Sequence, residues 1–234
     1  MTTIFTSHRF SLDKCPTNLQ KNLESWGSLN SSYQFKYYND EQMTEWMRNN
    51  TDQETFSLFD KLNTGAGKAD VFRVWHLHIA GGIWVDADLP AFDINKQRPD
   101  FSKLLQSNSS VIVRNRKCNE PRYTLMASVN GENIFGKLGL RINDKIKWAM
   151  DTGCQLGTIH ITGPFVLHEI LCELLSLDTI KLLPIESNEE FSFVYIDDIV
   201  PEKLTYQEEN VYKGYESDLI EMRVVHHDST KAVD

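Results

Sequence analysis

The chain has 234 residues, 41% of them hydrophobic, with 24 Lys and Arg against 33 Asp and Glu and a formal charge of -9. That balance excludes a general nucleic-acid binder, which needs clustered basic residues to neutralise phosphates, but it is compatible with a nucleotide ligand whose charge is met by a metal ion. The length and apolar content are enough for a buried core, and residues 1–234 are read as a single domain because no repeat, low-complexity tract or linker divides them. Cys15, Cys118, Cys154 and Cys172 are widely spaced, without C-x-x-C, and are read as reduced thiols. The amino-terminal segment lacks the apolar run of a signal peptide and nothing approaches the ~20 apolar residues of a membrane helix, so no transmembrane segment and a cytoplasmic location are expected.

In chain order, Thr3 to Ser7 reads as a short strand. Pro16 opens a helix with Leu19, Leu23 and Trp26 at i, i+4 and i+7. Tyr33, Phe35 and Tyr37 alternate with Gln34, Lys36 and Tyr38 as in a half-buried strand. Asn39 and Gln42 have capping-box spacing ahead of a helix that would bury Met43, Trp46 and Met47. A Gly65-Ala66-Gly67 loop then leads into a helix, a Gly81-Gly82 break and a short apolar strand. Strands are expected at Val111 to Val113, Tyr123 to Val129, Ile180 to Leu183, Phe191 to Ile196 and Glu221 to Val225. Helices are expected from Glu132 to Ala149 and from Gly163-Pro164 onward, the latter carrying Val166, Leu167, Ile170, Leu171 and Leu174. Mixed periods of this kind predict an α/β fold, with helices layered on a sheet.

The segment from Gly65 to Phe92 holds the chemistry. In Ile83-Trp84-Val85-Asp86-Ala87-Asp88, side chains alternate if the strand persists, so Trp84, Asp86 and Asp88 share one side. The Cα atoms of the two acids would then lie about 6.5–7 Å apart, close enough to share one cation or its water shell. They follow a buried-looking strand, and ligands of open α/β sheets collect at the carboxyl ends of strands. An arbitrary D-x-D is more often a solvated acidic pair. Here two like charges held together need a counter-ion, and a metal is the economical one. Upstream, Asp70 and Arg73 stand three apart on one helical face, which alone is the spacing of an ordinary surface ion pair. Lys68, at the start of that helix, is positioned to approach an anion.

The run Ala69-Asp70-Val71-Phe72-Arg73-Val74, followed by Ala80-Gly81-Gly82-Ile83-Trp84-Val85-Asp86-Ala87-Asp88, resembles the DXD-containing sugar transferases of glycosyltransferase family 32, with the large glucosylating bacterial toxins as more distant relatives. Thr162-Gly163-Pro164 resembles that family's T-G-P helix entry, and His226-His227-Asp228-Ser229 its carboxy-terminal His segment, although the usual Trp after the His pair is absent. The resemblance implies a GT-A-type nucleotide-sugar-binding fold with a mixed, mostly parallel central sheet flanked by helices. It implies Mn²⁺ or Mg²⁺ bound directly by Asp88, with Asp86 on the metal or on the ribose and sugar hydroxyls, and with His226 or His227 completing the metal shell. Asp70 and Arg73 would grip the donor sugar, and Thr6, Lys68 and Gly163 would complete the donor site. The implied donor is a nucleotide sugar such as a UDP- or GDP-sugar, and the acceptor a hydroxyl of a glycan, polysaccharide or glycoprotein. Transfer would retain anomeric configuration, by same-face attack because no enzymatic nucleophile stands out. A metal-dependent hydrolase of nucleotide sugars or phosphoesters would need the same acids and cation, and a non-catalytic sugar-nucleotide-binding protein would need only the binding residues.

Overall fold

The strand β1 (Thr3–Ser7) buries Ile4, Phe5 and Thr6 completely, and a strand buried on both faces belongs inside a sheet rather than at its edge. The computed structural model describes residues 2–96, 110–114, 121–131, 133–153, 157–176 and 191–195. β1 pairs in parallel with β2 (Gln34–Tyr38) on one side and with β3 (Gly82–Val85) on the other. β5 (Pro121–Ser128) runs antiparallel between β3 and β4 (Ser110–Arg114), and β6 (Phe191–Tyr195) lies parallel to β4. The sheet order is β2-β1-β3-β5-β4-β6. Among the described strands only β5 runs against the others, in keeping with the mixed, mostly parallel α/β sheet that the resemblance implies.

Helices cover both faces. α1 (Thr17–Leu29) buries Leu19, Leu23 and Trp26 at the expected spacing, and Trp26 joins Ile4, Ile83, Val85 and Val111 on one side of the sheet. On the other side lie α2 (Asp40–Asn50), α3 (Gln53–Asp60), α4 (Gly65–Ile79), α5 (Ile134–Thr152), the short α6 (Thr158–Ile161) and α7 (Pro164–Leu174). Phe5, Phe72, Trp84, Met126, Leu138 and Leu167 meet there. Asn39 and Gln42 form the expected capping box on α2, each side chain bonding the other's backbone N–H at 2.8 and 3.0 Å. α3 has no counterpart among the elements expected from sequence; Asp52 caps it by accepting from the Thr55 N–H at 2.9 Å.

Three local readings need correction. Gly65-Ala66-Gly67 is the first turn of α4 rather than a loop, because the Thr64 hydroxyl caps the helix by accepting from the Gly67 N–H at 3.1 Å. In β2, Tyr38 is the most buried residue although the alternation put it on the polar side; it packs against Phe72 and His76 while Phe35 and Tyr37 face α1. β3 ends at Val85, and the Asp86 carbonyl accepts from the Leu89 N–H at 2.9 Å, so a turn and not strand alternation sets the direction of Asp88. The expected Gly81-Gly82 break is present with φ of 70° and 111°, and a Cβ on Gly82 would lie 2.7 Å from the Thr3 carbonyl oxygen. The strands expected at 180–183 and 221–225 lie outside the described residues. No helix among the described residues is long and apolar enough to cross a membrane.

Candidate active site

α4 crosses the sheet with Asp70 and Arg73 on one face, and both are buried. Arg73 Nη2 meets Asp70 Oδ1 at 3.1 Å, and Nη1 meets Asp86 Oδ1 at 2.9 Å. The remaining reach of the guanidinium goes to backbone, with Nη1 donating to the Tyr123 carbonyl at 3.1 Å and Nε to the Ala69 carbonyl at 3.2 Å. Its plane lies over the Trp84 ring, 4.4 Å from the centroid. Trp84 Nε1 donates to the same Asp86 oxygen at 3.0 Å, so the Asp86 carboxylate lies on the Trp84 side of the sheet, just past the end of β3. The ion pair between Asp70 and Arg73 is therefore no surface pair. It is half of a buried bridge whose other end is the first acid of the D-x-D, and Arg73 is a counter-ion that sequence reasoning left to a metal.

One guanidinium does not balance three carboxylates. Burial, against the opposing pull of Arg73, pushes the Asp70 carboxyl up to about 6. Burial, and next the charge of Asp86, pushes Asp88 up to about 6. The excess negative charge and the hard oxygen donors of Asp86 and Asp88 fit Mn²⁺ or Mg²⁺. Among the described residues no group of three or more His, Cys, Asp or Glu side chains is placed to hold a metal ion, so the D-x-D pair is the candidate pair of ligands among them. A Mg²⁺-like ion is commonly held in that way, by one or two carboxylates with phosphate oxygens and water. His226 and His227 lie outside the described residues.

Two groups that sequence reasoning missed hold the site in place. Asn22 of α1 donates to the carbonyls of Ala87 and Leu89, each at 2.9 Å, and accepts from the Ala91 N–H at 2.9 Å. It thus clamps the turn on both sides of Asp88; Trp26 Nε1 adds a bond to the Leu89 carbonyl at 3.0 Å, and Asn30 bonds Phe92 and Ile94 further on. An Asn on the polar side of a helix gives no sign of such a role in sequence. The second group is β5. Between Ile112 and Val113 its register with β4 jumps from Met126 to Arg122, so residues 123–125 bulge away from β4. The Tyr123 carbonyl in this stretch receives Arg73, and the Thr124 carbonyl extends the β3 ladder by receiving the Asp86 N–H at 2.8 Å.

The other expected residues lie at varied distances from this cluster. The T-G-P segment reaches it, because Thr162, fully buried, donates to Asp70 Oδ2 at 3.1 Å. Gly163 is itself a packing requirement, since a Cβ would lie 2.7 Å from Ile159 Cα. Thr6, near the carboxyl end of β1, is fully buried, and its hydroxyl has no partner among the described residues. Lys68 is on the far side of α4 from Asp70, with its ammonium 5.2 Å above the Phe59 ring, so the structure does not bring it to the carboxylates. A cavity of about 540 Å³ opens at the other end of β1 and β3, between Thr3, Lys36, His76, Gly82 and Asn130, and contains none of the expected site residues.

Residues 16–97 match the model of the glycosyltransferase sugar-binding region containing the DXD motif. The match includes Asp70, Arg73, Asp86 and Asp88 and also Asn22, so the resemblance read from α4 and the D-x-D is shown for this region. An uncharacterized glycosyltransferase of Acanthamoeba polyphaga mimivirus is 27% identical over 153 residues, which cover 64% of this chain and 60% of that protein. Among solved structures, the PaToxG glycosyltransferase is 13% identical, with a TM-score of 0.49 over 75% of this chain and 69% of that one.

Proposed function

We propose that the chain is a metal-dependent glycosyltransferase that moves a sugar from a nucleotide-sugar donor, such as a UDP- or GDP-sugar, to a hydroxyl of a carbohydrate or glycoconjugate. The observation that carries this reading is the unequal treatment of the two acids at the end of β3. Asp86 is fixed by Arg73 and Trp84, whereas Asp88 sits in a turn clamped through the carbonyls of Ala87 and Leu89 and holds a carboxyl pushed up to about 6. Asp88 is thus the acid with most to gain from a cation. The match of residues 16–97 to a DXD sugar-binding region supports the same assignment.

In the proposed reaction the acceptor oxygen bonds to the anomeric carbon as that carbon's bond to the diphosphate breaks, negative charge grows on the leaving phosphate, and the acceptor's proton passes to it. A bound divalent ion supplies Lewis-acid stabilisation of that charge. Asp88 and Asp86 hold the cation side of the site. Arg73 holds Asp86 in place, and Asp70, anchored by Arg73 and Thr162, retains free lone pairs to accept from sugar hydroxyls. Asp70 and Asp86 are both committed to the guanidinium, which disfavours either as a covalent nucleophile, so the retention that the family resemblance implies would proceed by same-face attack.

The test is a panel of nucleotide sugars with Mn²⁺, assayed for product with and without saccharide acceptors and with excess chelator. A transferase gains turnover from the acceptor and loses it in chelator. Release of free sugar at a rate indifferent to every acceptor would favour the hydrolase instead, and binding without turnover under any metal would leave a non-catalytic binding protein.

A further inference from the structure

We infer that Tyr123 is a donor-sugar specificity residue, whose hydroxyl hydrogen-bonds a hydroxyl of the transferred sugar beside Asp70; the inference rests on the glycosyltransferase reading above. Tyr123 is 4% exposed, and its hydroxyl is fully buried with no hydrogen-bond partner among the described residues. A buried hydroxyl left unpaired carries the cost of its lost hydration, which a ligand hydrogen bond would offset. This one sits close enough to Asp70 for that carboxylate to add to the effect of burial in raising the phenol. Its ring lies 5.5 Å from the Arg73 guanidinium, and its carbonyl accepts from Arg73 Nη1 at 3.1 Å.

The backbone adds a second, independent argument. The register jump in β5 releases residues 123–125 from β4, at the point where the strand passes the end of β3. Bulges of this kind re-aim a side chain beside a site. Here the Tyr123 carbonyl accepts from Arg73 while the Thr124 carbonyl continues the β3 ladder to the Asp86 N–H, so the position of this stretch is tied to the two groups that define the site. The phenol is then carried on a rigid element, next to a carboxylate whose remaining lone pairs accept hydrogen bonds. A phenol that can donate or accept, beside a carboxylate that only accepts, is a pair suited to one sugar hydroxyl, which donates to Asp70 and accepts from Tyr123.

The experiment uses UDP-glucose, UDP-N-acetylglucosamine and GDP-mannose with Mn²⁺ to find a donor that binds the wild-type chain, then that donor's monodeoxy analogues. Wild type should disfavour one monodeoxy donor about tenfold in kcat/KM relative to the parent sugar, and Tyr123→Phe should lose about tenfold on the parent and nothing further on that analogue. The Tyr123 carbonyl is unchanged in this variant, so the bond to Arg73 remains. Equal discrimination among the deoxy donors by wild type and Tyr123→Phe would overturn the inference, as would a wild type indifferent to every deoxygenation, a result that needs no variant. If no nucleotide sugar binds wild type at all, it is the glycosyltransferase reading that fails.

Discussion

Replacing Arg73 by Lys keeps the charge and removes the fork. In the folded chain the guanidinium bonds Asp86, Asp70, the Tyr123 carbonyl and the Ala69 carbonyl at 2.9 to 3.2 Å. An ammonium is a point charge on a shorter reach and holds one of the carboxylates, releasing the other and leaving the Tyr123 carbonyl without its donor. Loss of a bond to a charged group is worth about 1.5–3 kcal/mol and an unsatisfied buried carbonyl about 1–3 kcal/mol. Water reaches Asp86, whose side chain is 26% exposed, which reduces the sum to about 3 kcal/mol. For a chain of this size that is a fall in Tm of about 6–12 °C. Urea and thermal unfolding without ligands measure it directly, and repeating the change in an Asp86→Asn background should shrink the loss by at least about 1 kcal/mol. If Arg73→Lys unfolds within about 0.5 kcal/mol of wild type, the guanidinium is not the keystone of the site and the argument fails.

Three further outcomes are expected. Asn22→Ala removes the clamp on the turn that carries Asp88 without touching any ligand atom, and should weaken Mn²⁺ binding about tenfold or more in calorimetry; unchanged affinity would show the turn to be rigid without it. Gly82→Ala places a Cβ 2.7 Å from the Thr3 carbonyl oxygen at a φ of 111°, and should cost about 2 kcal/mol or more in chemical denaturation, whereas a neutral result would mean that β1 and β3 adjust freely. His76, stacked on Phe5 at 3.8 Å and on Trp46 at 4.7 Å, has its imidazole pushed down to about 3 by burial and by Lys36. A depressed base contributes stability that is present above 6.5 and is lost as pH falls toward 3, at up to about 1.4 kcal/mol per pH unit, so the difference in unfolding free energy between wild type and His76→Gln should narrow or reverse across that window. A difference independent of pH would contradict it.

What could be read in the sequence was local. The spacing of Leu19, Leu23 and Trp26, the Asn39–Gln42 box, the Gly81-Gly82 break and the apolar run before Asp86 each express a rule that acts within a turn or two of chain, and each is found in the structure. The unread parts depend on distant partners. Nothing near Arg73 announces that its second carboxylate is Asp86, 13 residues away, or that Tyr123 takes its third bond, 50 residues away. The direction of Asp88 was misattributed to pleating because the turn from Asp86 to Leu89 is held from outside, by Asn22 on α1. The β5 bulge is a mismatch of register between two strands, and neither strand alone encodes it. Lys68 illustrates the opposite error, a plausible anion ligand by position whose side chain the helical twist turns toward Phe59.

The measurement that bears most directly on the account is the anomalous scattering of manganese in crystals grown with Mn²⁺ and a nucleoside diphosphate. A peak about 2.1–2.3 Å from an Asp88 carboxylate oxygen, bridging to diphosphate oxygens and lost in Asp88→Asn crystals, is the expected result. Manganese bound elsewhere, with Asp88 turned to bulk solvent and the diphosphate away from the end of β3, would contradict it.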